Sequence, residues 1–224
     1  MQPARWSLVA VRAHSRAEQI ADGVIHVLGG LLALAGALFL LMAFVPNAGP
    51  GQRLAAVIYL TSLIAALAAS AAYNMWPTSR VKQALRRVDH AMIFSLIAGT
   101  YTPLLSLLPE TSLRQGLLVL VWSVAALGMV LKLAFPDRLA RMALGLYLGL
   151  GWSGLVAINA ITAVLPPIAL WLILIGGLLY TTGVVFHVWH RLTFQTAIWH
   201  AFVLVAAICH YAAIVVSLRA VPIG

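Results

Sequence analysis

Seven long apolar stretches occupy most of this 224-residue chain and limit what it can fold into. A membrane-spanning helix takes roughly 20 apolar residues, and each stretch has about that length. Proline, glycine and polar residues break the pattern at residues 46–51, 136–137 and 166–167. The stretches cover residues 22–45, 54–75, 89–108, 115–135, 142–165, 168–187 and 197–218. The sequence therefore predicts an all-α integral membrane protein with seven transmembrane helices.

The composition excludes a water-soluble fold. Hydrophobic residues make up 63% of the chain, charged residues only 8%, and the mean hydropathy is +1.01. A soluble domain is closer to 25% charged. Seven spans leave no room for a second domain, so residues 20–224 are expected to form one transmembrane domain. Residues 1–19 are mixed and basic and lack a signal-peptide pattern, so we expect them to form a cytoplasmic tail.

The positive charges alternate between the two sides of the predicted topology. If the amino terminus is cytoplasmic, eleven Lys and Arg residues lie inside and three lie outside. The outer three are Arg53, Arg114 and Arg219. By the positive-inside rule this predicts a cytoplasmic amino terminus and an external carboxyl terminus, in the plasma (inner) membrane. The net charge of +9 then reports orientation, and no nucleic-acid partner is expected.

Polar side chains collect near the cytoplasmic ends of the predicted helices. Ionisable groups at membrane depth are costly and usually have a partner or water, so a shared depth favours a polar cavity between helices. Interfacial contact with headgroups is the alternative, chiefly for Asp22, His90, His187 and His190. Asp22 and His26, and likewise Ser70 and Asn74, are four residues apart and share a helix face. The set comprises Asp22, His26, Ser70, Asn74, Asp89, His90, His187 and His200.

His210 differs from this set because it lies deeper in the membrane. Ten helical residues separate it from His200, which is about 15 Å along the axis. A histidine there needs an internal partner, and Thr100, Tyr101 and Thr102 are candidates at comparable depth. Both a structural and a functional role remain open for it.

Several motifs closely resemble the bacterial hemolysin III group of the progestin and adipoQ receptor (PAQR) family. They are Leu-Arg-Arg-Val-Asp-His at 85–90, Ala-Gly-Thr-Tyr-Thr-Pro at 98–103 and Ala-Ile-Trp-His-Ala-Phe at 197–202, followed by Cys209 and His210. Asp22, Gly23 and His26 also fit the family. The resemblance covers residues 18–218 and implies seven helices with a cytoplasmic amino terminus.

The resemblance also implies a zinc site, from which this chain departs. The family pattern is Ser-x-x-x-His at the end of the second helix and His-x-x-x-His at the start of the seventh. Here Ser70 is followed by Asn74, and Thr196 by His200, so two of three ligands are missing. Amide and hydroxyl groups replace imidazole poorly on zinc, so this set is not expected to hold zinc tightly.

The sequence allows two arrangements around His200. In the first, other side chains form a zinc site with His200, and the candidates are His26, His90, His187 and Asp89. Otherwise Asn74, Asp89, Thr196 and His200 form a hydrogen-bonded cluster without metal, joined by Ser70.

These residues lead to two functions of different classes. The first is a membrane protein that binds or senses a lipid, with a cytoplasmic-side polar cavity formed by Asn74, Thr196, His26 and His210. The second follows from the resemblance and is metal-assisted hydrolysis of a ceramide-like lipid amide. There zinc would activate a water, Asp89 would act as base or orient that water, and Ser70 and His200 would complete the site. Pore formation ranks last because no predicted span has a polar stripe.

Overall fold

The computed structural model of the protein describes residues 15–135 and 140–220, and every regular element in this part of the chain is a helix. Residues 1–14 of the predicted cytoplasmic tail lie outside the described residues, and its last four residues already belong to the first helix. The helices are α1 (Arg16–Ala43), α2 (Pro50–Met75), α3 (Arg80–Ser106), α4 (Ser112–Ala134), α5 (Ala140–Trp152), α6 (Ile158–Val164), α7 (Pro167–Val188) and α8 (Gln195–Ala220).

Six segments among the described residues are long and apolar enough to cross a membrane, so the prediction of seven needs correction. The predicted stretch 89–108 falls in α3, which is 27 residues long but is not one of the six. Its first turns carry Arg80, Lys82, Arg86, Arg87 and Asp89. These charges lower its mean hydropathy, although the helix packs between α2 and α4.

The fifth apolar stretch is a span built from two short helices. A 3₁₀ turn at Ser153–Ala157 joins α5 to α6. The Tyr101 hydroxyl of α3 donates to the carbonyl of Gly151 and accepts from the N–H of Gly154, both at 2.7 Å. These bonds supply partners to backbone groups at the break, which lipid cannot supply.

Small residues let the helices approach closely. A side chain at Gly99 of α3 would collide with Ser62 of α2, and one at Gly128 of α4 would collide with the Phe94 ring of α3. Gly176 of α7 similarly faces the His210 ring of α8. Helices in lipid associate through such close packing. Lipid tails are as apolar as the side chains, so the hydrophobic effect does not drive the helices together.

Helix α1 turns one continuous buried face toward its neighbours α2 and α8. The buried positions recur every three or four residues, which is the helical repeat. The first three are polar and the remainder are small or apolar. They are Glu18, Asp22, His26, Gly29, Ala33, Ala37 and Leu40. The polar candidates on α1 are therefore held between helices instead of facing headgroups.

Candidate functional site

Glu18 anchors the beginning of α1 to the turn before α8. Its carboxylate accepts from the N–H of Ser15 at 2.7 Å, and the Ser15 hydroxyl accepts from the N–H of Glu18 at 3.2 Å. This reciprocal pair is a capping box. The other carboxylate oxygen accepts from the N–H of Phe194 at 2.8 Å, where the backbone has a positive φ of 59°. The bond fixes the start of α8 beside α1.

One turn further along, Asp22 of α1 meets His200 of α8. The Asp22 Oδ1 and His200 Nδ1 atoms are 2.6 Å apart, a strong hydrogen bond between residues separated by 178 positions. The Asp22 side chain is only 13% exposed and the His200 side chain only 11%. This is a buried side-chain contact that joins the first helix to the last.

His26 completes a compact group with these two residues, which we call the Asp22 cluster (Asp22, His26 and His200). The His26 Nε2 atom lies 3.6 Å from Asp22 Oδ2, beyond hydrogen-bond range. The His26 and His200 rings are tilted, with centroids 4.5 Å apart. One potential ligand atom from each of the three residues lies within 4.8 Å of the other two.

His26 has an unsatisfied atom. Its Nε2 is buried and has no hydrogen-bond partner, and its side chain is 5% exposed. A buried polar atom without a partner costs about 1–3 kcal/mol. His26 Nε2 is therefore the atom of the cluster that a ligand would satisfy.

Asp89 of α3 lies next to the Asp22 cluster but is not the carboxylate that hydrogen-bonds to His200. It lies close enough to Ser70 of α2, and to His26 and His200, to interact with them electrostatically. The carboxylate that accepts the hydrogen bond from His200 is that of Asp22. Asp89 and Ser70 thus border the cluster on the side of α2 and α3.

The residues at the two inherited ligand positions do not fit a zinc ion. The Asn74 amide nitrogen donates to the Ser70 carbonyl at 2.9 Å and contacts the Ser70 hydroxyl at 3.5 Å. The Thr196 hydroxyl donates to Gln195 Oε1 at 3.3 Å. Both side chains are used within their own helices, and neither offers an imidazole. The three-ligand zinc site implied by the resemblance is absent at these positions.

The other histidine candidates occupy separate places. His187 contacts the Trp199 ring at 4.9 Å between centroids, and its carbonyl accepts from Gln195. The His90 ring packs edge-on against Tyr73 at 6.3 Å. Among the described residues, neither belongs to the group of possible metal ligands that contains His26 and His200.

His210 has an internal partner, but it is on a different helix from the one expected. Its Nε2 lies 3.2 Å from the carbonyl oxygen of Ile173 in α7, and its ring packs against Tyr180 at 5.5 Å. Thr102, one of the expected partners, instead accepts from the Trp122 indole at 3.1 Å. His210 therefore secures α7 to α8 and lies apart from the Asp22 cluster.

An open groove of about 360 Å³ lies between α1 and α2. Its lining is apolar apart from one threonine and includes none of the residues predicted to form a polar cavity. The lining residues are Ala37, Leu41, Val57, Leu60, Thr61, Ile64 and Ala65.

The sequence left Asp22 open between a cavity and the headgroups and placed Glu18 in the tail, whereas both are buried on α1. The signal for both was their spacing, because Glu18, Asp22 and His26 recur every four residues on one helix face. Polar residues on the face that continues into Gly29 and Ala33 belong to the helix interface. Their partner on α8 could not be read from this spacing.

The fold and the cluster define a class: a polytopic helical membrane protein with a polar group buried near one end of its bundle. The family model described as "Haemolysin-III related" matches residues 15–211. The chain therefore belongs to the hemolysin III family, the bacterial branch of the PAQR family, as its motifs predicted.

Known relatives extend from bacteria to mammals. The chain is 35% identical to the "Hemolysin-3 homolog" of Bacillus subtilis over 84% of this chain and 88% of that protein. It is 31% identical to "Hemolysin-3" of Bacillus cereus, over 84% and 85%. It is 30% identical to the human "Monocyte to macrophage differentiation factor" over 73% and 70%. No solved structure matches the chain.

Proposed function

We propose that this hemolysin III-family protein binds or senses a membrane lipid from the cytoplasmic side of the plasma (inner) membrane. The lipid's polar head lies against the Asp22 cluster and its acyl chain follows the α1–α2 groove. One observation carries the proposal. Helix α1 has a buried polar group near its first turns, and its other end borders an apolar groove.

The dimensions support this placement. His26 and Ala37 are eleven helical residues apart, which is about 16 Å along α1. Half of the bilayer's hydrocarbon core is about 15 Å thick. An acyl chain that starts at the cluster therefore ends at the groove.

The experiment measures lipid retained by the protein after purification in mild detergent, by mass spectrometry. Thr61→Trp places a large ring in the groove, whereas Val119→Trp adds the same ring on α4, where Val119 is 66% exposed. We expect Thr61→Trp to lose at least half of the retained lipid and Val119→Trp to match the unmodified protein. Equal lipid content in all three proteins would overturn the proposal.

The second candidate is metal-assisted hydrolysis of a ceramide-like lipid amide. The position of Asp89 and Ser70 beside two imidazoles favours it. Water adds to the amide carbonyl carbon, the C–N bond breaks and the amine nitrogen takes a proton. Asp89 would accept the water proton and pass it on, with Ser70 orienting the carboxylate.

Fatty acid release from ceramide in detergent micelles separates the two functions. The hydrolase predicts release that Asp89→Asn abolishes, with the folded protein still intact. Lipid binding without hydrolysis predicts no release from either protein.

A further inference from the structure

We propose that Asp22, His26 and His200 form a divalent transition-metal site of the zinc type, separate from the inherited positions. Of these three residues, only His200 belongs to the zinc-ligand pattern that the resemblance implies. The other two ligands come from α1 and take the place of the imidazoles that Asn74 and Thr196 do not supply. This replaces the expectation, drawn from those two positions alone, that the chain binds zinc weakly.

The distances suit a small metal ion after slight adjustment. Ligand atoms of a tetrahedral zinc are about 3.3 Å apart, because each bond is about 2.0–2.1 Å long. The separation between Asp22 Oδ2 and His26 Nε2 is already 3.6 Å. The contact between Asp22 Oδ1 and His200 Nδ1, at 2.6 Å, has to lengthen and give up its hydrogen-bonding proton to the solvent.

The unsatisfied nitrogen of His26 is an independent observation. The side chain is 95% buried, and its Nε2 points toward the Asp22 carboxylate without a hydrogen bond. Buried polar atoms nearly always have a partner. A metal ion between His26 and Asp22 supplies that partner, which no protein group among the described residues does.

The donor atoms identify the class of ion. Two imidazoles and one carboxylate suit zinc and neighbouring first-row ions, whereas calcium and magnesium prefer oxygen ligands alone. Three protein ligands leave a fourth position for water or another ligand. With neutral imidazoles the ion and Asp22 sum to one positive charge, and Asp89 nearby offsets it.

The site also explains how α1 is held to α8. Glu18 joins the start of these helices through the backbone of Phe194, one turn before Asp22. A metal held by α1 and α8 binds only the folded bundle, so it stabilises the fold.

The test measures zinc binding by the purified, chelator-treated protein in detergent. Calorimetric titration gives the affinity and stoichiometry, and thermal unfolding gives the change in stability. We expect about one zinc per chain and a higher melting temperature with zinc. Asp22→Asn and His26→Gln should each weaken zinc binding at least tenfold. His190→Gln is the matched control, because His190 is exposed and lies outside the cluster.

Two further variants separate this site from the inherited one. Asn74→Ala and Thr196→Ala should bind zinc as the unmodified protein does. A zinc affinity that depends on Asn74 or Thr196 but not on Asp22 or His26 would overturn the proposal, as would an unmodified protein that binds no zinc.

A spectroscopic measurement on the unmodified protein tests the site even if a variant does not fold. Cobalt(II) in place of zinc gives a visible spectrum that reports imidazole and carboxylate ligation in the unmodified protein itself. An octahedral, water-like spectrum would count against the site. The lipid-binding proposal is tested separately, by the groove variant Thr61→Trp. Measuring lipid retention with and without the metal therefore distinguishes failure of the metal site from failure of lipid binding.

Discussion

Two histidine regions on α8, ten residues apart, differ in how their polar atoms are satisfied. His210 bonds to a backbone carbonyl of α7, and it has no buried nitrogen without a partner. His200 bonds to a carboxylate, and His26 beside it keeps an unsatisfied buried nitrogen. The His210 region is complete within the protein, as expected of a structural contact. The Asp22 cluster keeps one buried nitrogen without a protein partner, and this is the atom that the proposed metal ion would bind.

The largest expected effect concerns which side of the membrane each region faces. With a cytoplasmic amino terminus, seven crossings place the carboxyl terminus outside, whereas the six apolar spans alone would place it inside. Counted on seven crossings, eleven inner positive charges against three predict an external carboxyl terminus, which requires α3 to cross in addition to the six apolar spans. A carboxyl-terminal phosphatase that works only outside the cytoplasm should therefore be active in a bacterial host. Activity only from a cytoplasmic reporter would show that α3 does not cross.

The next effect tests whether the His210 region is structural. In Gly176→Ala the added Cβ would lie 2.5 Å from the His210 ring and 3.2 Å from the Ala206 carbonyl oxygen. We expect a loss of up to about 3 kcal/mol in the free energy of unfolding, because overpacking separates α7 from α8. Denaturant titration in detergent measures it. Gly30→Ala meets nothing within 4 Å and serves as the control, with stability unchanged or raised by up to about 1 kcal/mol.

A double-mutant cycle sharpens the contrast at the other end of α8. Asp22→Ala and His200→Ala, in metal-free protein, should show a coupling of about 2 kcal/mol because the two side chains share a buried hydrogen bond. The corresponding cycle with Asp89→Ala should give a smaller coupling, since the carboxylate that hydrogen-bonds to His200 is that of Asp22. Unfolding free energies from denaturant titration provide both values. A larger coupling for Asp89 would show that Asp89, and not Asp22, is the main partner of His200.

The smallest effect concerns the anchor of the cluster. Glu18→Ala removes the acceptor for the N–H groups of Ser15 and Phe194, and we expect a loss of about 1 kcal/mol. Glu110→Ala is the matched control, because that side chain is 81% exposed and its ion pair with Arg114 contributes little. Thermal unfolding in detergent compares the two variants. Equal losses would show that Glu18 does not hold α1 to α8.

Most of the helical architecture could be predicted from the sequence because the cause acts within each segment. In lipid every backbone group must be satisfied internally, so a long apolar stretch becomes a helix regardless of its neighbours. The predicted stretch 168–187 lies within α7, and 197–218 lies within α8. The break between α5 and α6 could not be predicted, since the Tyr101 hydroxyl that binds it comes from another helix.

The site divides in the same way. The sequence by itself determined that Asp22 and His26 share a helix face, and its resemblance to the family implied that Asn74 and Thr196 stand where two histidines are expected. Only the tertiary structure decided that His200 pairs with Asp22 and that His210 bonds to α7. Helical spacing relates residues three or four positions apart, whereas a contact across 178 positions depends on which helices pack together. Small residues and the Glu18 anchor set that packing, and their effect appears only when the helices are side by side.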